Sequence, residues 1–205
     1  MRKRIGTVAL CVASGMFLLL AAACGTQPDG GGTANSAPVV KTEPAMPPSD
    51  KGDKVVTGGD LAFMNDAAPG NMAEVEMGKL AVKQGASKDV KQFGQKMVDD
   101  HTKAGQELMR VAEQKKVMLP PDVLPVHKEA MAKLSKMSGA DFDREYVKEM
   151  VEDHEKDVAA FDNAAKTGAD ADVKAFAAKT LPTLQMHLQM IRDIQGKMGG
   201  GKAKP

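Results

Sequence analysis

The chain has 205 residues, with 28 Lys and Arg against 27 Asp and Glu, for a formal net charge of +1. That balance argues against any function built on a basic surface, nucleic-acid binding above all. With 15 Met, six Phe, one Tyr and no Trp, aliphatic and thioether side chains must fill the interior.

The N-terminus opens with Met1-Arg2-Lys3-Arg4 and continues from Ile5 to Ala23 without a charge. This is the pattern of a signal peptide, residues 1–23. Ala21-Ala22-Ala23-Cys24-Gly25 follows, and the small side chains before a cysteine resemble the lipobox of bacterial lipoproteins, with Ala21 where Leu is usual. The resemblance implies cleavage before Cys24 and lipidation of its thiol. Two or three acyl chains anchor a protein stably where one does so only marginally. An uncleaved anchor competes with this reading, because the uncharged run falls just short of the about 20 residues that span a bilayer. Gly25, in place of Asp, resembles the class sorted to the outer membrane, facing the periplasm if the source is Gram-negative. Cleavage would also remove Cys11, leaving no disulfide, and three basic residues, bringing the net charge to −2. The expected partners are therefore a membrane, through the lipid on Cys24, and an envelope protein; no nucleic acid is expected.

Residues 24–60 are crowded with Gly, Pro, Ser, Thr and Asp and lack hydrophobic periodicity, which predicts a disordered tether. From Leu61 the composition turns to Ala, Lys, Met, Leu, Val, Asp and Glu, and residues 61–197 read as one helical domain before a flexible tail, 198–205. The first helix is predicted over 61–84, interrupted at Pro69-Gly70, with Gly85 ending it in the left-handed conformation. Ser87 caps a second helix, 88–116, whose seam is Val90, Gly94, Met97, His101, Ala104, Leu108 and Val111. After Pro120-Pro121, a short helix over 125–137 would bury Val126, Ala130, Leu134 and Met137. Ser138 and Asp141 have capping-box spacing ahead of a helix over 140–166, with Val147, Met150, His154, Val158, Phe161 and Ala165 inward. The last helix, 171–197, presents Val173, Phe176, Ala177, Leu181, Leu184, Leu188 and Ile191, and Pro182 should kink or restart it. The pattern is all-α: a ferritin-like antiparallel four-helix bundle with a short extra helix between the second and third long ones.

Met97-Val98-Asp99-Asp100-His101 reappears as Met150-Val151-Glu152-Asp153-His154, which suggests a duplicated helix hairpin. Of the four histidines, His101, His154 and His187 fall on or beside a seam near the middle of their helices, and Glu74 stands near the middle of the first; His127 is on the short helix. In an antiparallel bundle midpoints share a level, so Glu74, His101, His154 and His187 can converge on a transition metal, Cu, Zn or Fe. Asp100, Glu155, Met97 and Met150 are candidate accessory groups. Thioethers one turn before imidazoles suit copper, although Met is also the natural core filler of so aromatic-poor a chain. The competing reading gives each imidazole a neighbouring hydrogen-bond partner and a role in helix register.

Several segments together resemble the domain of unknown function 4142 family: Ala73 through Ala81, Phe93 through His101, Ser138 through Asp143, Val151 through Glu155, and Thr180 through Leu188. The resemblance implies an exported bacterial protein with a ferritin-like bundle and brings no established activity. A di-iron site of the ferritin kind needs Glu-x-x-His, and here Val98, Val151 and Leu184 stand three residues before the histidines. No nucleophile elbow or phosphate loop is present. The expectation is a non-catalytic envelope lipoprotein whose bundle binds a metal ion, or alternatively a structural or protein-interaction module.

Overall fold

The structure, a computed structural model, describes residues 56–199. The signal peptide, Cys24, nearly all of the tether and most of the tail lie outside the described residues. Five helices follow in order: α1 (Gly58–Gln84), α2 (Lys88–Gln114), α3 (Pro125–Leu134), α4 (Gly139–Thr167) and α5 (Ala171–Gly199). α1 packs chiefly on α2 and α4 on α5; α2 meets α5 and α1 meets α4, closing a ring of four long helices, while α3 lies against α1 and α4. Among the described residues there is no strand, and the all-α bundle with its short extra helix is as the sequence pattern predicts.

Two aspartates tie the hairpin turns to the opposite helices. Asp143, buried in the first turns of α4, accepts from the amides of Ala86 (2.9 Å) and Ser87 (2.7 Å) in the α1–α2 turn. Asp60, buried in the first turn of α1, accepts from the amides of Ala169 (3.0 Å) and Asp170 (2.7 Å) in the α4–α5 turn. Each carboxylate thus satisfies helix-end donors that would otherwise be orphaned. The device relates α1 to α4 and hence α2 to α5. The sequence echo instead pairs α2 with α4, out of step with that relation.

Seams at helical spacing produce two apolar clusters. One joins Met77, Phe93, Met97, Tyr146, Met150 and Ile191; the other joins Met64, Leu108, Phe161, Phe176 and Leu184. Along every long helix the crossing from one cluster to the other passes a buried polar residue: Asn71 and Glu74 in α1, His101 in α2, His154 in α4 and His187 in α5. The bundle is therefore two dry cores with a polar layer between them. α1 and α2 come close enough that a Cβ on Gly78 would lie 2.7 Å from the carbonyl oxygen of Gly94.

The structure corrects several local expectations. α1 begins three residues early and runs through Pro69-Gly70 without a break. Gly85 has φ −59° and ψ 146°, not the left-handed conformation, because the chain turns directly into the α2 cap. There Ser87 Oγ accepts from the Asp89 amide at 3.2 Å, as its position predicts. α2 ends at Gln114, and Lys116 takes a positive φ of 55°. α3 ends at Leu134, its one buried residue, and Val126 is exposed because the helix lies on the outside of the ring. Ser138 makes no side-chain cap to α4, and Asp141 pairs with Arg144 instead. Pro182 is interior to an uninterrupted α5 and faces solvent, as does Ala178, whose carbonyl it leaves without its helical donor.

Candidate metal centre

The three seam histidines meet. His101 is 3% exposed, and His154 and His187 are fully buried. Their ring centroids lie 5.7 Å (His101–His154), 5.4 Å (His101–His187) and 5.5 Å (His154–His187) apart. One ligand atom from each lies within 4.8 Å of the others. Phe93 stands against the cluster, with its centroid 6.2 Å from that of His154 and 6.1 Å from that of His187.

Each imidazole is engaged through one of its two nitrogens, and a hydrogen-bond acceptor there fixes its tautomer. His154 Nδ1 lies 2.9 Å from the Met150 carbonyl oxygen, which can only accept, so Nδ1 carries the proton. His187 Nε2 lies 3.0 Å from Asp100 Oδ2. Burial alone would raise the Asp100 carboxyl, but hydrogen bonds from His187 and Lys96 and the Lys96 charge hold it below its usual value. It is therefore a carboxylate, and His187 Nε2 donates to it. His101 Nδ1 lies 3.0 Å from Asn71 Oδ1 and 2.8 Å from Glu74 Oε2. The Asn71 amide nitrogen donates to the Ala67 carbonyl at 3.0 Å, which turns Oδ1 toward His101 as an acceptor, so Nδ1 is again the donor.

The consequence is three bare lone pairs. His101 Nε2, His154 Nε2 and His187 Nδ1 are buried without a hydrogen-bond partner among the described residues. Nor are they protonated near neutrality. Burial pushes His101 down to about 4, and burial with the neighbouring His101 and His187 pushes His154 to about 3. Burial outweighs the Asp100 hydrogen bond to hold His187 at about 4. A buried acceptor left unsatisfied costs about 1–3 kcal/mol, and three converging in one layer form a nitrogen donor set.

Glu74, 3% exposed, bridges the rim of this cluster, with Oε2 on His101 and Oε1 3.6 Å from His154 Nδ1. Burial first, and then the charge of Asp153, push its carboxyl up to about 8, so near neutrality its contact with the neutral His101 is between two uncharged groups and is not an ion pair. Asp157, half-buried beside it, is likewise raised well above the carboxylate range by burial and by Glu74.

The structure thus brings together Glu74, His101, His154, His187 and Asp100. Glu155 stays outside the cluster, exposed and paired with Arg192 across 2.7 Å, because its position points away from the seam. Met97 and Met150 are fully buried in the apolar cluster below, and Met150 serves His154 through its backbone. Cys24 is outside the described residues. Asn71 and Asp157 are functional neighbours that sequence reasoning missed. Their signal was helical spacing, since Asn71 is three before Glu74, and Asp157 follows Asp143 at the same interval by which Glu74 follows Asp60.

A four-helix bundle with a tri-imidazole layer is the class of protein that fold and site define. Within it, the chain belongs to the domain of unknown function family DUF4142, whose family model matches residues 45–194. Three solved structures are similar in fold. A DUF305 fragment from Deinococcus radiodurans superposes with a TM-score of 0.62 at 12% identity, covering 70% of this chain and 99% of that one. A protein from Streptomyces coelicolor, described as secreted and as DUF305, gives 0.60 at 14%, over 72% and 96%. A protein from Bacillus halodurans described as a spore coat protein gives 0.57 at 11%, over 75% and 96%. No curated protein matches the chain.

Proposed function

We propose that the bundle is an ion-binding module of the cell envelope, holding one late first-row transition ion on His101 Nε2, His154 Nε2 and His187 Nδ1. The observation that carries this reading is the set of three buried, unprotonated lone pairs, each left over after the other nitrogen of its ring has been fixed by a hydrogen-bond acceptor. Ligand histidines in metal sites are oriented in the same way. Three neutral imidazoles suit Zn2+, Cu+, Cu2+ or Fe2+. Nitrogens about 2.0–2.1 Å from a zinc ion stand roughly 3.4 Å apart; one nitrogen from each ring already lies within 4.8 Å of the others, so small ring movements bring three imidazoles to that spacing. Glu74, protonated near neutrality in the metal-free protein, would release that proton to offset the ion's charge from the rim.

Enclosure favours holding over turnover. The rings are at most 3% exposed and the space beside His101 is about 10 Å3, room for roughly one water. No di-iron carboxylate pattern accompanies them. The basic n-region, apolar run and Ala-Ala-Ala-Cys24 motif support placing the module outside the cytoplasm on a lipid anchor, and two of the fold neighbours are described as secreted and spore coat proteins. Among the described residues no helix is long and apolar enough to cross a membrane.

Thermal melting of the full chain with Zn2+ or Cu2+ tests the proposal: a saturable rise in midpoint at one ion per chain is expected, and no rise with any of Zn2+, Cu2+ or Fe2+ would refute it. A register-setting role for the histidines is the second reading, favoured by the one hydrogen bond each ring does make.

A further inference from the structure

Two cavities meet at the carboxyl rim of the histidine layer. A cleft of about 210 Å3 opens between α1, α3 and α4, and the void of about 10 Å3 lies beside His101. Both are lined by Gly70, Glu74 and Asp157. Gly70 leaves the junction open, since a Cβ there would meet nothing within 4 Å. Glu74 stands at the junction, and its buried Oε1 has no hydrogen-bond partner among the described residues. The cleft is also lined by Asp153 and by His127, whose buried Nδ1 has no hydrogen-bond partner among the described residues. Lys156 sits at the mouth, exposed and paired with Asp153 at 3.5 Å.

We infer, resting on the metal-binding reading above, that this cleft captures a hydrated divalent cation and passes it inward, with Asp153, Asp157 and His127 as transient ligands and Glu74 as the last oxygen before the imidazoles. Carboxyl groups in a partly wet cleft suit an ion that still carries water, the cation displacing to solvent the protons that burial holds on Asp157 and Glu74, and nitrogen donors in a dry layer suit the same ion stripped of its water. The α1–α4 side offers a second groove, about 370 Å3 and bordered by Asp66. That groove also shares Ala67, Asp157 and Phe161 with the void beside His101, but Glu74 lines the first cleft and the void and does not line this groove, whose inner wall carries the rings of Phe63 and Phe161, 4.8 Å apart edge to face. Glu74 faces the Nδ1 edges of His101 and His154, whereas their free lone pairs are on Nε2. The final transfer therefore needs a ring to turn, and capture precedes a slower unimolecular step.

Stopped-flow mixing of the metal-free full chain with Zn2+ tests this. The wild-type rate should saturate with Zn2+ concentration. The double variant Asp153→Asn, Asp157→Asn should raise the half-saturating concentration at least tenfold and leave the limiting rate within twofold. Gly70→Leu, which fills the junction without removing a charge, should lower the limiting rate, and Asp66→Asn in the neighbouring groove should change neither. A wild-type rate linear in Zn2+, kinetics unaltered in both cleft variants, or an equal effect from Asp66→Asn would overturn the route while leaving the histidine site standing. Absence of any Zn2+ uptake by the wild type would instead remove the tri-imidazole reading itself.

Discussion

Glu74 Oε2 lies 2.8 Å from His101 Nδ1, and both side chains are almost wholly buried. The contact joins a carboxyl held protonated near neutrality to an imidazole held neutral, each mainly by burial. It therefore has a distinctive dependence on pH.

In the metal-free protein the three imidazoles bind protons only at about 4, 3 and 4 when folded, against 6.5 when unfolded. Between these values the unfolded chain carries more protons, so stability falls as pH drops from about 6.5 toward 4. Glu74 works the other way: its folded value of about 8 against 4.5 means that stability is lost as pH rises from 4.5 to 8. Urea midpoints in the presence of a chelator should peak between about pH 6 and 7. Glu74→Gln, which mimics the neutral acid, should flatten the alkaline fall; an unchanged alkaline slope would contradict the assignment.

Removing one lone pair separates the two readings of the histidine layer. His154→Leu takes away a buried acceptor whose lack of a partner costs about 1–3 kcal/mol. The metal-free urea midpoint should hold or rise while the response to added metal disappears. If His154 instead serves register alone, the variant loses stability, and there is no metal response to lose.

Asp100 touches the histidine layer at His187 Nε2. Asp100→Asn can present an amide N–H there, which moves the imidazole proton to Nδ1 and takes its lone pair out of the cluster. Metal affinity should fall about 10–100-fold, as is usual when a ligand histidine loses its orienting partner. Competitive titration against a chelating dye measures the loss, and an unchanged affinity would place the proton elsewhere.

Backbone contact between α1 and α2 makes Gly78→Ala costly. Its Cβ would meet the Gly94 carbonyl at 2.7 Å, so overpacking of about 1–3 kcal/mol outweighs the helix-propensity gain of about 1 kcal/mol. At Gly105 the nearest atom to an added Cβ is 3.9 Å away, and Gly105→Ala should stabilise by about that propensity gain. Chemical denaturation of the two variants should move in opposite directions.

Periodicity made much of this legible. Seam positions such as Val90, Met97, Met150 and Ile191 are buried where a 3.6-residue repeat puts them, and midpoint counting placed the three histidines and Glu74 in one layer. Local rules failed where a distant group intervened. Gly85 and Ser138 do stand at the helix ends, but without the left-handed turn or the side-chain cap that local rules give them; the α1–α2 turn is tied down instead by Asp143 from α4, a contact between residues far apart in the chain. Val126 was misjudged because a ten-residue helix on the outside of the ring buries little besides Leu134. Tautomers were illegible altogether, since they depend on Asn71, Asp100 and the Met150 carbonyl at distances that sequence does not encode.

Native mass spectrometry of the full chain, loaded with equimolar Cu2+, Zn2+ and Fe2+ and then stripped of loosely held ions, tests the central claim most directly. The tri-imidazole account predicts one retained ion per chain, copper preferred over zinc as the general affinity order for such donors dictates, and none in His154→Leu or His187→Leu. A folded wild-type chain that retains no transition metal, or retains it equally well without His154 and His187, would contradict the account.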